Sequence, residues 1–177
     1  FKHPAFKGLS EEATARLTQG SRALRFDLGQ QLCEPGTIPA RILVLFQGQA
    51  RLLGRHNGRL TSVGKFGPGS VIGAASLLTG QPCENVIAAD EVVAFAIPDD
   101  LWSDLYGSET SFRDWCDQQL WPQELLNLLE VVDDERAETS SSPLEVLQVA
   151  MQRAQRCSPA SEACLLYTSP SPRDKRL

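Results

Sequence analysis

The sequence predicts a mostly β fold, a roll or jelly-roll barrel of about eight short strands, with helices on either side. Three observations predict it. Short apolar runs recur from Ser21 to Ile97, separated by Gly, Pro and Asn turn signals at the spacing of a sandwich or barrel. After Ile97 the apolar period changes from strand-like to helical. Before Ser21 stands a short helical segment with a start and a stop signal.

Ser10 is the expected N-cap of that first helix, which runs to about Thr18 with Ala13 and Leu17 on its buried face. Gly20 is expected to close it as a C′ glycine. Leu24 and Phe26 alternate with Arg25, and Leu28 to Cys33 reads as a second short strand before the Glu34-Pro35-Gly36 turn. The run Ile42 to Gln47 reads as a strand buried on both sides. Gly48 interrupts it, and Ala50 to Leu53 resumes. His56-Asn57-Gly58 is a hairpin signal, because the two central residues of such a turn need positive φ. Arg59 to Phe66 is then the partner strand, turned at Gly67-Pro68-Gly69. Asn85 to Ala88 and Val92 to Ile97 form the last pair.

Pro98 fits the first position of a helix with Asp99 and Asp100 in its dipole-favoured first turn and Leu101, Trp102 and Leu105 on its apolar face. A second helix is expected to hold Phe112, Trp115, Cys116 and Leu120. A third starts at Pro122, with Leu125, Leu128, Leu129 and Val132 on one stripe. Asp133 to Ser141 has no periodicity and reads as a linker. Ser142-Pro143-Leu144-Glu145 is a capping box that opens a further helix carrying Leu144, Leu147, Met151 and Ala154. The expected organisation is a helical segment 1–20, a barrel 21–97, helices 98–133, a linker 134–141, and a new helical segment 142–163.

With 177 residues, 42 % hydrophobic and 22 % charged, the chain has apolar material for a core without disulfide or metal staples. Its net charge of −5 opposes general nucleic-acid binding. Residues 1–67 hold ten Lys or Arg against four acids, whereas 98–136 hold eleven acids against two Arg. Cys33, Cys83, Cys116 and Cys157 are widely spaced with no neighbouring His, so no zinc site is expected. Reduced thiols in a cytoplasmic protein are the simpler reading. The longest wholly apolar run, Ile42 to Phe46, is strand-sized and far short of a membrane span. The run Cys164 to Asp174 resembles one translated frame of a sequencing adapter, so residues 164–177 are expected to be an artefact. Without that segment, which carries +2, the charge moves from −5 to −7.

The stretch Phe6 to Tyr106 resembles the cyclic-nucleotide-binding domain family, in its order of helix, β-roll, short helical insertion, two strands and trailing helices. The specific part is the phosphate cassette, which in that family reads approximately F-G-E-L-A-L-x-x-x-x-P-R-x-A-T. Residues Ile72 to Val86 align with it without a gap: Gly73, Leu77 and Pro82 match, and Ser76 replaces a small residue. Phe66-Gly67-Pro68-Gly69 matches the glycine-rich approach. The resemblance implies a short helix whose N–H groups face a cyclic phosphate. It also implies a glutamate on the ribose 2′-hydroxyl and an arginine on the phosphate. Here those two positions are Ala74 and Cys83. Each lost charged hydrogen bond is worth roughly 1.5–3 kcal/mol, so together they forfeit on the order of 10²–10⁴ in affinity. No Arg lies between Arg59 and Arg113; Arg51, Arg55 and Lys65 are the cations on neighbouring strands. The degenerate ligand positions are Gly73, Ala74, Ala75, Ser76, Pro82, Cys83, Glu84 and Asn85. No resident cofactor is expected, and cAMP and cGMP are expected to bind weakly or not at all.

Other chemistries fit less well. Gly67-Pro68-Gly69 with Gly73 falls one residue outside G-x-G-x-x-G, and reads as a turn. Cys83 reads as a packed cysteine, since only His3 and His56 could act as a base. Ser70 and Ser76 sit in no nucleophile elbow. Trp102, Trp115 and Trp121 read as helix-packing core. A non-catalytic regulatory or docking domain of a larger protein is therefore expected, with the following domain of the same polypeptide as partner. The alternatives are a sensor of an unusual anionic or nucleotide ligand, and a catabolite-activator-type regulator whose DNA-binding part lies elsewhere. A homodimer through the C-terminal helices, a small-molecule ligand, no nucleic acid and no membrane contact complete the expected partners. The cassette variant, Phe112 to Cys116 and Trp121-Pro122 also resemble N-terminal regulatory segments of cyanobacterial-type peptide-exporting ABC transporters.

Overall fold

A computed structural model describes residues 2–56 and 59–122, with the side chains of 55–59 outside the description. The order is a 3-10 turn (Pro4–Phe6), α1 (Glu11–Gly20), β1 (Arg22–Phe26), β2 (Arg41–Gln47), β3 (Ala50–His56) and β4 (Arg59–Phe66). Next come β5 (Val71–Ile72), α2 (Ala74–Thr79), β6 (Asn85–Ala88), β7 (Val92–Pro98), α3 (Asp99–Ser108) and α4 (Thr110–Asp117). The strands form two antiparallel sheets in the orders β1-β7-β2-β5 and β4-β3-β6.

Seven strands are formed among the described residues, not eight. The missing one is Leu28–Cys33, which lies along β6 through an isolated Gln31–Ile87 bridge and backbone hydrogen bonds to Ala88 and Val86 without forming a regular strand. Leu28 is 74 % exposed while Leu32 is buried in the inter-sheet core, so only the end of the run is covered. Gly29, with φ +78, and the turn in which Gln30 N–H donates to Asp27 O bend the segment instead.

β2 is the strand on which both halves of the core meet. Ile42 and Val44 face the helices, while Leu43 and Leu45 face the other sheet. Alternation sends successive side chains to opposite faces, so a continuous apolar run is what a central strand covered on both sides requires. Phe46 ends the pattern at 62 % exposure. The inter-sheet core adds Leu52, Phe66, Ile72, Val86, Val92 and Ala94. On the other side Phe6, Leu17, Trp102, Leu105, Phe112 and Cys116 close the helical core.

Ser10 caps α1 by accepting the Ala13 N–H at 3.2 Å, and it donates to Glu109 Oε1 at 2.6 Å between α3 and α4. Gly20 is the last helical residue rather than a C′ glycine in left-handed geometry, and Ser21 is the C-cap. Its lack of a side chain serves packing: a Cβ would lie 2.7 Å from Leu101 Cδ2. Pro98 ends β7 and precedes α3 as N-cap, one position earlier than expected. Leu120 lies beyond α4 and is 65 % exposed, so it takes no part in the helical core. The Asn57-Gly58 turn lies outside the described residues, flanked by the paired His56 and Arg59. The helix read from Pro122 onward, the linker, the capped segment at Ser142 and residues 164–177 also lie outside them, apart from Pro122 itself. Among the described residues no helix is long and apolar enough to cross a membrane.

Candidate functional site

β5 pairs Val71 with Val44 and Ile72 with Leu43, and so delivers the chain to Gly73 from the inside of the core. Gly73 has φ +90, and a Cβ there would stand 3.1 Å from Pro39 Cγ. Glycine is needed here for conformation and for room. α2 then makes a short helix, closed by Gly80 at φ +70, whose N–H donates to Ser76 O at 2.9 Å. Ala74, Ala75 and Ser76 are buried. The Ser76 hydroxyl donates to Gln81 O, tying the helix to the segment that leaves it. Pro82 is exposed, Cys83 and Glu84 are buried, and Asn85 starts β6. The chain thus brings Gly73, the start of α2, Cys83 and Glu84 around one region, while Pro82 stays at its rim.

Glu84 is the unexpected member. Its Oε1 accepts the Gly73 N–H at 3.0 Å, and the residue is only 6 % exposed. Its Oε2 is buried with no hydrogen-bond partner. A charge-assisted bond to a backbone amide is among the stronger hydrogen bonds a protein makes. The carboxylate therefore occupies the amide that opens the cassette. Arg51 and Lys65 are exposed and alternate with the inward residues Ala50, Leu52 and Phe66. The ion pairs among the described residues, Arg16–Asp104 and Arg25–Glu91, lie on the surface.

Cys83 is packed against the loop that precedes β2. Its N–H donates to Thr37 O at 2.8 Å, and its thiol donates to Glu34 O at 3.0 Å. The Cys33 thiol donates to Glu84 O at 2.9 Å, and Cys83 Sγ is 3.6 Å from the same oxygen. Asn85 Oδ1 accepts from Gln31 Nε2 at 3.3 Å. The neighbouring Cys83 thiol raises Cys33 well above the ordinary thiol range, and burial adds to it. The Cys33 thiol in turn lowers Cys83, against the opposing effects of burial and of Glu84 and Glu34.

Two of these features are invisible in the sequence. Glu84 aligns with a cassette position, but nothing in the spacing shows its carboxylate turning back eleven residues to Gly73. An acid directly after the arginine position is the available signal. Cys33 is 50 positions from Cys83, and only the fold brings them together. Among the described residues no group of three or more His, Cys, Asp or Glu is placed to hold a metal ion.

Residues 23–109 match the family model described as cyclic nucleotide-binding domain. No curated protein matches the chain. Among solved structures, the chain is similar to the regulatory subunit of a cAMP-independent protein kinase A from Trypanosoma brucei, with 21 % identity and a TM-score of 0.56. That match covers 67 % of this chain and 44 % of the other. The corresponding subunit from Trypanosoma cruzi, bound to guanosine, aligns at 18 % identity and TM-score 0.54 over 64 % of this chain and 44 % of that one. The N-terminal domain of a transcriptional regulator from Streptomyces coelicolor aligns at 23 % identity and TM-score 0.52, covering 64 % and 82 %. The chain therefore spans less than half the length of the two trypanosomal subunits. The two-sheet roll, the inserted helix at Gly73 and the family match lead to one assignment: residues 23–109 are a domain of the cyclic nucleotide-binding family.

Proposed function

We propose that this domain is a non-catalytic regulatory or docking unit of a larger polypeptide, in which cAMP and cGMP bind weakly or not at all. The observation that carries the reading is the Glu84 carboxylate on the Gly73 N–H. With Ala74 and Cys83 at the glutamate and arginine positions, the site has lost both ligand-gripping side chains and has gained an anion. Two unit charges about 4 Å apart repel by about 4 kcal/mol at an effective dielectric near 20. A cyclic phosphate brought to this cassette meets that repulsion without an arginine at position 83 to offset it.

A neutral nucleoside is the ligand chemistry this cassette opposes least. The unpartnered Glu84 Oε2 is an acceptor that a ribose hydroxyl could satisfy, and one similar structure, the T. cruzi subunit, is bound to guanosine. Calorimetric titration of the whole chain with cAMP, cGMP and guanosine tests both readings. Micromolar or tighter cAMP or cGMP binding sinks the first; guanosine no tighter than cAMP sinks the second.

The regulatory role rests on architecture. The helices after the roll stand where this family couples the domain to the next part of the polypeptide, and their acidic, amphipathic character suits a protein partner. An N-terminal regulatory segment of a peptide-exporting ABC transporter is the specific setting that Phe112 to Cys116 and Trp121-Pro122 suggest. The natural full-length protein, expressed with and without residues 1–133, decides between roles. Activity unchanged by the deletion leaves docking and removes regulation.

A further inference from the structure

Cys33 and Cys83 form a dithiol for which nucleotide binding has no use. Both sulfurs approach one backbone oxygen, Glu84 O, at 2.9 and 3.6 Å. Cys33 is partly exposed and Cys83 is buried. Cys33 begins the loop to β2, and Cys83 ends the segment after α2. The loop is already held to that segment through Thr37 O and Glu34 O, and Pro39 lies beside Gly73. A disulfide needs sulfurs that can close to about 2.05 Å without backbone movement. Sulfurs that already lie against the same carbonyl oxygen start closer to that requirement than a pair brought together by chance motion.

We propose that Cys33 and Cys83 are a reversible dithiol–disulfide modification site, oxidised by small-molecule disulfides of the glutathione type. The deprotonated sulfur of Cys33, the one solvent reaches, attacks one sulfur of the oxidant. The oxidant's S–S bond breaks and one thiolate leaves, taking up the proton that Cys33 gave up. Cys83 then attacks Cys33 Sγ, the mixed disulfide breaks, and the second small thiol leaves with the proton from Cys83. Two protein thiols have been oxidised to one disulfide, and one small disulfide has been reduced to two thiols. The Cys33 thiolate is the minor form, because that thiol is held above the ordinary range, so exchange should quicken as pH rises. The product fastens the loop 34–40 to the exit of the cassette.

The test treats the whole chain with oxidised glutathione, alkylates remaining thiols, and maps peptides without reduction. The expected product is a Cys33–Cys83 linked peptide, two hydrogens lighter, reversed by dithiothreitol, with Cys116 still free. Amide exchange over 34–40 should slow at least tenfold on oxidation. Cys33→Ser should abolish both changes while leaving the fold, measured by circular dichroism, intact. The proposal is overturned if glutathione stays on Cys33 as a mixed disulfide, if both thiols are recovered unmodified, or if the only linkages formed join other cysteines. Slowed exchange that persists in Cys33→Ser would also overturn it.

Discussion

The Glu84 carboxylate accepts the N–H of Gly73 at 3.0 Å, so the chain supplies its own anion to the glycine that opens the cassette. A short side chain at position 84 would leave that amide free for a ligand. The contact also links the start of α2 to the start of β6, which are the two ends of the inserted segment.

Replacing that anion should change nucleotide affinity in a graded way. Glu84→Gln keeps an acceptor for Gly73 and removes the charge, and it should strengthen cAMP binding by at least about tenfold, or 1.4 kcal/mol. Adding Ala74→Glu and Cys83→Arg should strengthen it further, since each supplies a charged hydrogen bond worth roughly 1.5–3 kcal/mol. Titration calorimetry on the single and triple variants checks the order. Equal affinity in wild type and Glu84→Gln would show that the carboxylate does not set the barrier.

The helical side of the core should be the larger stability reservoir per residue. Phe112 is fully buried between Phe6, with ring centroids 6.0 Å apart and stacked, and Trp102, at 4.8 Å and edge-on. Phe112→Ala should cost about 3–5 kcal/mol. Leu120→Ala, at an apolar residue left 65 % exposed, should stay within about 0.5 kcal/mol. Urea unfolding of the two variants separates them.

Phe112 and Leu120 also mark the boundary of what is legible in the sequence. Ser10, Ala13, Leu17 and the β2 run are legible because local rules decide them: a cap, a four-residue spacing, and a strand covered on both faces. Leu120 and Leu28 look the same as core residues, but the chain has already stopped α4 at Asp117 and bends at Gly29. The cassette is legible as Gly73, Ala74 and Cys83, because deletions of charge can be read from a motif. The substitute charge is not, because Glu84 reaches Gly73 only once α2 has turned the chain back.

Gly48 should be intolerant of any side chain. It has φ +85, and a Cβ would collide with Glu91 O and stand 2.8 Å from Asp90 Oδ1, which accepts the Gln49 N–H. Backbone cannot retreat as a flexible side chain does. Left-handed strain alone costs about 1–3 kcal/mol, and the clash adds to it, so Gly48→Ala should lose at least about 2 kcal/mol. The Gly36→Ala variant supplies the control: φ is +85 there too, with nothing within 4 Å of the added Cβ. Denaturant midpoints should fall further for position 48 than for position 36, and equal losses would mean that strain rather than the Glu91 contact governs the site.

Alkaline pH should unfold the protein partly through Cys116. Its thiol is 1 % exposed in the helical core, and burial, followed by the nearby Asp117 charge, pushes it up to about 12 from an ordinary 9.0. The neutral thiol is the form that the folded state favours. Its contribution is therefore fully present below pH 9.0, where the unfolded chain also keeps the proton, and it declines as pH rises toward about 12. Tyr106 acts in the same direction, because its hydroxyl donates to Asp117 Oδ1 at 2.8 Å and ionisation would end that bond. Unfolding free energy measured from about pH 8 to 11 should fall steadily in the wild type. In Cys116→Ala the fall should be shallower, although the variant starts less stable at the low end of that range because a buried sulfur has been removed. A slope identical to wild type would exclude the thiol and leave Tyr106 as the group to replace next, with phenylalanine.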